Sequence, residues 1–163
     1  MKKTSKRKLA ERPRHYNIMD ELMASPTEPL PAAYRTHQLT RMYEGLHALE
    51  TADNPTTDDW RVVSDAVNML ETLVEMQVCE DSSGLLMDAV RGLAIAGQRH
   101  KREGKPIRLD GLGIQAVRSV LASYADLLNM LPARVMYRCH RLTEKRIHAI
   151  LAGRKLAHDV EVM

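Results

Sequence analysis

The chain has 163 residues, of which 44% are hydrophobic and 28% charged, the composition of a single globular domain able to bury one core. Its net charge of +3 conceals a strong polarity, with +6 over residues 1–15, −7 over 16–132 and +4 over 133–163, so both ends are suited to anionic surfaces. No apolar run approaches the roughly 18–20 residues that cross a bilayer, and two mid-chain Cys without disulfide spacing point to a reducing compartment.

Residues 1–15 hold Lys2, Lys3, Lys6, Arg7, Lys8, Arg12 and Arg14 against Glu11 alone. Such a segment has too little to bury to offset its ordering entropy, and a flexible basic arm is expected. Ala10-Glu11-Arg12-Pro13 interrupts any secretory core, so no signal peptide is read and a cytoplasmic location is expected. Residues 16–32 form a Pro-containing lead segment. Asn17 can cap two helical turns to Ala24, after which Pro26, Pro29 and Pro31 deny a regular element.

Five main helices are predicted within residues 33–155, leaving 156–163 as a tail. The first runs from Ala33 to Thr51, with Leu39, Met42, Tyr43, Leu46 and Leu49 at helical intervals. Thr56-Thr57-Asp58-Asp59 supplies a capped, dipole-matched start for the second, which extends to Gln77 and buries Trp60, Val63, Val67, Leu70 and Val74. The third spans Leu85 to Arg102, its last turn basic and its stop at Gly104. Asp110 caps the fourth, which carries Ile114, Val117, Val120, Leu121, Tyr124, Leu127, Leu128 and Leu131, and Pro132 suits the first turn of the fifth. No segment alternates with period two. The fold class is therefore all-α, an antiparallel bundle of about five helices, and with no Phe and ten Met its core is built from Leu, Val, Ile, Ala and Met.

The stretch from Pro132 to Lys155 admits two readings. A helix-turn-helix would place its turn at Leu142-Thr143, but Arg141 stands where the turn needs Gly, and Tyr137 where a small residue lets helices cross. A single amphipathic helix fits better: Val135, Met136, Cys139, His140, Leu142, Thr143, Ile147, Ile150 and Leu151 fall on one arc, with Arg146 as an intruder. Tyr137, Arg138, Arg141, Lys145 and His148 take the opposite arc, which is expected to be an exposed cationic face. In an alternating bundle that helix would end beside the third–fourth connection. Arg99, Lys101, Arg102, Lys105 and Arg108 would then meet Lys145, Arg154 and Lys155, with Asp53, Asp58 and Asp59 nearby, as either a cationic surface or a neutralised rim.

Signatures of catalysis are missing. None of the seven His has a His or Cys three or four residues away. Asp110-Gly111-Leu112-Gly113 lacks the strand and third Gly of a dinucleotide turn and reads as a helix cap. Asp58, Asp59, Asp65, Glu71 and Glu75 read as dipole partners and an exposed face rather than an acid/base pair. Neither a cofactor nor a metal is expected, and a non-enzymatic role is.

The opening Met1-Lys2-Lys3-Thr4-Ser5-Lys6-Arg7-Lys8 resembles the start of small helical proteins encoded by phages and prophages of proteobacteria. Leu46-His47-Ala48-Leu49, the Thr-Thr-Asp cap at 56–58 and Asn68-Met69-Leu70-Glu71-Thr72-Leu73 extend the likeness loosely along the body. The resemblance implies a mobile-element origin and carries over no activity and no functional residue. The function expected is that of an accessory protein that binds a host macromolecule, such as an inhibitor of a host defence or nucleic-acid-handling protein. The alternative is direct, regulatory nucleic-acid binding. In either case the candidate contacts are the seven cations of the arm together with Arg134, Arg138, Arg141, Lys145, Arg146, Arg154 and Lys155. A host protein is the favoured partner, nucleic acid a second one; no membrane partner is expected, and nothing in the sequence indicates a homo-oligomer.

Overall fold

The computed structural model describes residues 16–153, so the basic arm, Arg154, Lys155 and the tail lie outside the described residues. Six helices follow one another: α1 (Ile18–Met23), α2 (Ala32–Thr51), α3 (Thr57–Glu75), α4 (Leu86–Glu103), α5 (Gly111–Met130) and α6 (Ala133–Leu151). The all-α class and the five long helices agree with the sequence reading. No strand occurs among the described residues, only an isolated bridge between Pro29 and Pro132. No helix among them is long and apolar enough to cross a membrane.

The caps explain where the helices begin. Thr56 Oγ1 accepts from Asp59 N at 3.1 Å while Asp59 Oδ2 accepts from Thr56 N at 2.8 Å, a reciprocal cap that satisfies two orphan amides at the start of α3. At the start of α5, Asp110 Oδ1 accepts from Gly113 N at 2.6 Å, a one-way cap. Gly104 ends α4 in the left-handed conformation, φ 65°, where a side chain would be strained. α3 stops two residues before the expected end, because Gln77 turns to φ 58°.

α3 is the axle of the molecule and packs against α2, α4, α5 and α6. Nearly every residue from Trp60 to Leu73 is buried, and Trp60, Val63, Val67 and Leu73 meet Leu93, Val117, Val120, Leu121 and Leu128 in the core. Trp60 keeps its indole satisfied by donating Nε1–H to Leu93 O at 3.0 Å. α2 lies so close to α3 that a Cβ on Gly45 would stand 2.8 Å from the backbone oxygen of Asp59. At one end the α2–α3 and α4–α5 connections meet: Arg108 donates to Ala52 O at 3.0 Å and to Asp53 O at 3.2 Å, and Arg99 in turn donates to Arg108 O. That part of the expected end cluster is present.

The path of α6 corrects the rest. It does not return beside α5; it crosses the C-terminal half of α3. Cys139 Sγ donates to Met69 O at 3.2 Å, Thr143 and Thr72 share a hydroxyl hydrogen bond of 2.6 Å, and Arg146 reaches Glu71 and Glu75. Glu75 and the Arg108 cluster flank opposite ends of a helix about 28 Å long at 1.5 Å per residue. Lys145 is therefore separated from Arg99, Lys101, Arg102, Lys105 and Arg108, while the Arg154 and Lys155 part of that expectation lies outside the described residues. One unbroken helix over Ala133–Leu151 also removes the helix-turn-helix.

Candidate functional site

The distinctive surface is built by α1 and α6. α1 forms because Asn17 Oδ1 accepts from Met19 N at 2.8 Å and Asp20 N at 3.0 Å, while Asp20 returns a carboxylate to Asn17 N. It ends at Ala24, which turns to extended backbone, φ −71° and ψ 152°, just ahead of the Ser25-Pro26 step that disfavours helix. Ser25 Oγ then accepts from Glu28 N at 2.9 Å and folds the chain back. The carbonyls of that turn do a second job. Ser25 O accepts from Arg134 N at 2.9 Å and Glu28 O from Ala133 N at 2.8 Å, so the lead segment caps an α6 whose Pro132 offers no side-chain cap. The Pro-containing segment, expected to precede the bundle, is part of it, and Leu30 is buried in the core.

α1 is inside-out. At 100° per residue Ile18, Leu22, Met19 and Met23 fill one arc of 140°, the pattern of a core-facing stripe. Yet these four side chains are 57%, 55%, 58% and 82% exposed, while Glu21 on the opposite arc is buried. Glu21 Oε2 accepts from Arg141 Nη2 at 2.8 Å and Nε at 3.0 Å, and Arg138 Nε lies 3.5 Å from Oε1. Arg134 donates to Leu22 O at 3.0 Å and Ala24 O at 3.3 Å, taking up carbonyls that the end of α1 leaves free. The Tyr16 ring stands edge-on to Tyr137 at 4.5 Å and 5.0 Å from the His140 ring. Burial pushes the His140 imidazole down to about 4, so it is neutral at pH 7.

These contacts revise the expected cationic face of the last helix. Arg134, Arg138 and Arg141 are engaged by α1. Arg146, the intruder on the apolar arc, is buried with Nη2 at 2.9 Å from Glu71 and 3.1 Å from Asn68 O, and Nη1 at 3.2 Å from Glu75. Glu71, read as part of an exposed acidic face, is buried beside it. Lys145 alone of the five described candidates is exposed without a described ion pair. The structure thus brings Arg134, Arg138 and Arg141 together around Glu21 and turns Arg146 inward. Lys2, Lys3, Lys6, Arg7, Lys8, Arg12, Arg14, Arg154 and Lys155 lie outside the described residues.

Neither Glu21 nor the outer stripe of α1 is expected from the sequence to belong to a site. The stripe was visible as Ile18, Met19, Leu22 and Met23, but periodicity alone points such a stripe at the core. Neither thiol is activated: Cys139 is buried and pushed up to about 12, and burial raises Cys79 as well. Among the described residues no three His, Cys, Asp or Glu converge to hold a metal ion. The depression on α2 lined by Thr36, Leu39, Thr40, Tyr43, Glu44 and His47 lies along one helix and is open to solvent. No family model matches this chain, and no curated protein or solved structure matches it either.

Proposed function

We propose that the chain is a non-enzymatic accessory protein of a phage or other mobile element that acts by docking on a host protein. The observation that carries this reading is the outward apolar stripe of α1, four large side chains held in water by a helix whose Glu21 is turned inward. Leaving such a patch exposed is costly unless a partner covers it. Exposed apolar patches of this kind on a folded chain mark interaction sites. The basic arm that directly precedes it in sequence supplies further contact, suited to an acidic surface on the partner. An inhibitor of a host defence or nucleic-acid-handling protein fits this mode of action. The mobile-element origin rests on the resemblance of residues 1–8.

Direct nucleic-acid binding through the last helix is the weaker reading, because four of its five described cations already have internal partners. Affinity capture from a host lysate with the full chain and with a Leu22→Asp/Met23→Asp variant tests the reading. One polypeptide held in stoichiometric amount by the parent and lost by the variant is expected. Recovery of nucleic acid alone, or equal capture by both forms, contradicts it.

A further inference from the structure

We infer that the Arg134–Arg138–Arg141 face of α6 is a seat for a short acidic helix, that α1 is its intramolecular occupant, and that an acidic helical segment of a partner protein takes its place. The inference concerns the inner side of α1 and does not depend on the outward stripe.

The seat has specific chemistry. Arg134, Arg138 and Arg141 follow at spacings of four and three residues and so share one face of α6. Arg141 grips one carboxylate oxygen with two N–H groups, Nε at 3.0 Å and Nη2 at 2.8 Å, while Arg138 stands by the other. Arg134 does not touch that carboxylate. It donates to two backbone carbonyls one and three residues further on, Leu22 O and Ala24 O. The occupant must therefore offer a Glu in its last turn followed at once by a helix end with free carbonyls. A peptide helix meets both demands. A phosphodiester backbone supplies anions but no carbonyl pair at that offset, so the seat favours protein over nucleic acid.

The present occupant is short and is held on α6 chiefly by polar contacts. α1 is six residues long, far below the length at which a helix persists alone. Just before it, the Tyr16 ring stands on Tyr137 and His140, and the Tyr16 hydroxyl lies 3.4 Å from that of Tyr34. The anchor that follows is firm: Ser25 O and Glu28 O cap α6 and Pro29 bridges Pro132. Release therefore needs rotation only about Ala24 and Ser25, and it uncovers the three arginines together. The same anchor argues against a second copy as occupant. It keeps each α1 one residue from its own α6, too short a tether to reach another molecule without undoing the cap.

The test uses the full chain and a fluorescent peptide with the sequence of residues 16–25. With the parent, whose seat is filled at high effective concentration, the peptide is expected to bind weakly. Glu21→Gln removes the charge that holds α1 and is expected to raise peptide affinity at least tenfold. Adding Arg141→Gln should return it to the parent level, and a peptide carrying Gln in place of Glu21 should not bind. Circular dichroism melts of each variant establish that the bundle is intact; should Arg141→Gln unfold it, Arg138→Gln serves in its place. Equal peptide affinity for parent and Glu21→Gln overturns the inference. So does an equal gain in affinity for a 20-base-pair DNA duplex, which would show a general anion site. Dimerisation of Glu21→Gln in sedimentation overturns the choice of a partner protein over a second copy.

Discussion

Replacing Arg146 by Met probes how α6 is held on the bundle. The guanidinium is 7% exposed at the side chain and lies 2.9 Å from the Glu71 carboxylate, itself 9% exposed. It also donates to Asn68 O at 3.1 Å and stands 3.2 Å from the exposed Glu75. Met keeps most of the stem's volume, so the loss is electrostatic: the buried Glu71 carboxylate loses its ion pair with Arg146, and a helix carbonyl loses its extra donor. Stranding one member of a buried pair costs about 3–5 kcal/mol. For a domain of this size each kcal/mol lowers Tm by roughly 3 °C, so a fall of about 10 °C or more is expected. The double change Arg146→Met/Glu71→Met removes both charges and should recover to within ~1 kcal/mol of the parent, because the pair's attraction does little more than offset its desolvation. Thermal and urea denaturation of the two variants provide the readout. A single variant within about 3 °C of the parent, or a double variant no better than the single, would refute the buried-pair account of α6 packing.

Gly45→Ala should loosen the α2–α3 contact, because its Cβ would meet the fixed Asp59 oxygen at 2.8 Å and Val62 Cγ2 at 2.5 Å; a destabilisation of ~1–3 kcal/mol in urea melts is expected even though Ala is the better helix former. His140 has a folded pKa of about 4 against 6.5 unfolded, so the unfolded chain takes up the proton first and stability falls as pH drops through that window. Between pH 7 and 5 the loss from this group is at most about 2 kcal/mol, reduced by its partial exposure, and His140→Leu should flatten that part of the pH–stability curve. In native buffer Cys79, half-buried, should react with a maleimide while buried Cys139 stays protected until unfolding, which mass spectrometry reads directly.

The sequence was most legible where local chemistry decides the outcome. Thr56 with Asp59, Asp110 and Gly104 marked helix ends correctly because caps depend on residues three or four apart. Arg146 was legible only in part: its place on the apolar arc was clear, but its partner Glu71 lies 75 positions away and looked like an exposed acid. The path of α6 was not legible, since short connections favour antiparallel neighbours and nothing local says that α6 crosses α3. α1 reversed its own pattern for the same reason. Its orientation is set by Arg134, Arg138 and Arg141 more than 110 residues later, and by carbonyls of the Ser25–Glu28 turn that cap α6.

Site-specific crosslinking tests the central claim, that the chain works through a protein partner at the outer face of α1. A benzophenone amino acid placed at position 23, the most exposed site of the stripe, is compared in host cells with one at position 95, exposed on α4. The account predicts one crosslinked polypeptide from position 23, absent from position 95, and lost when Ile18 and Leu22 are changed to Asp. The same products from both positions, or nucleic acid alone at position 23, would contradict it.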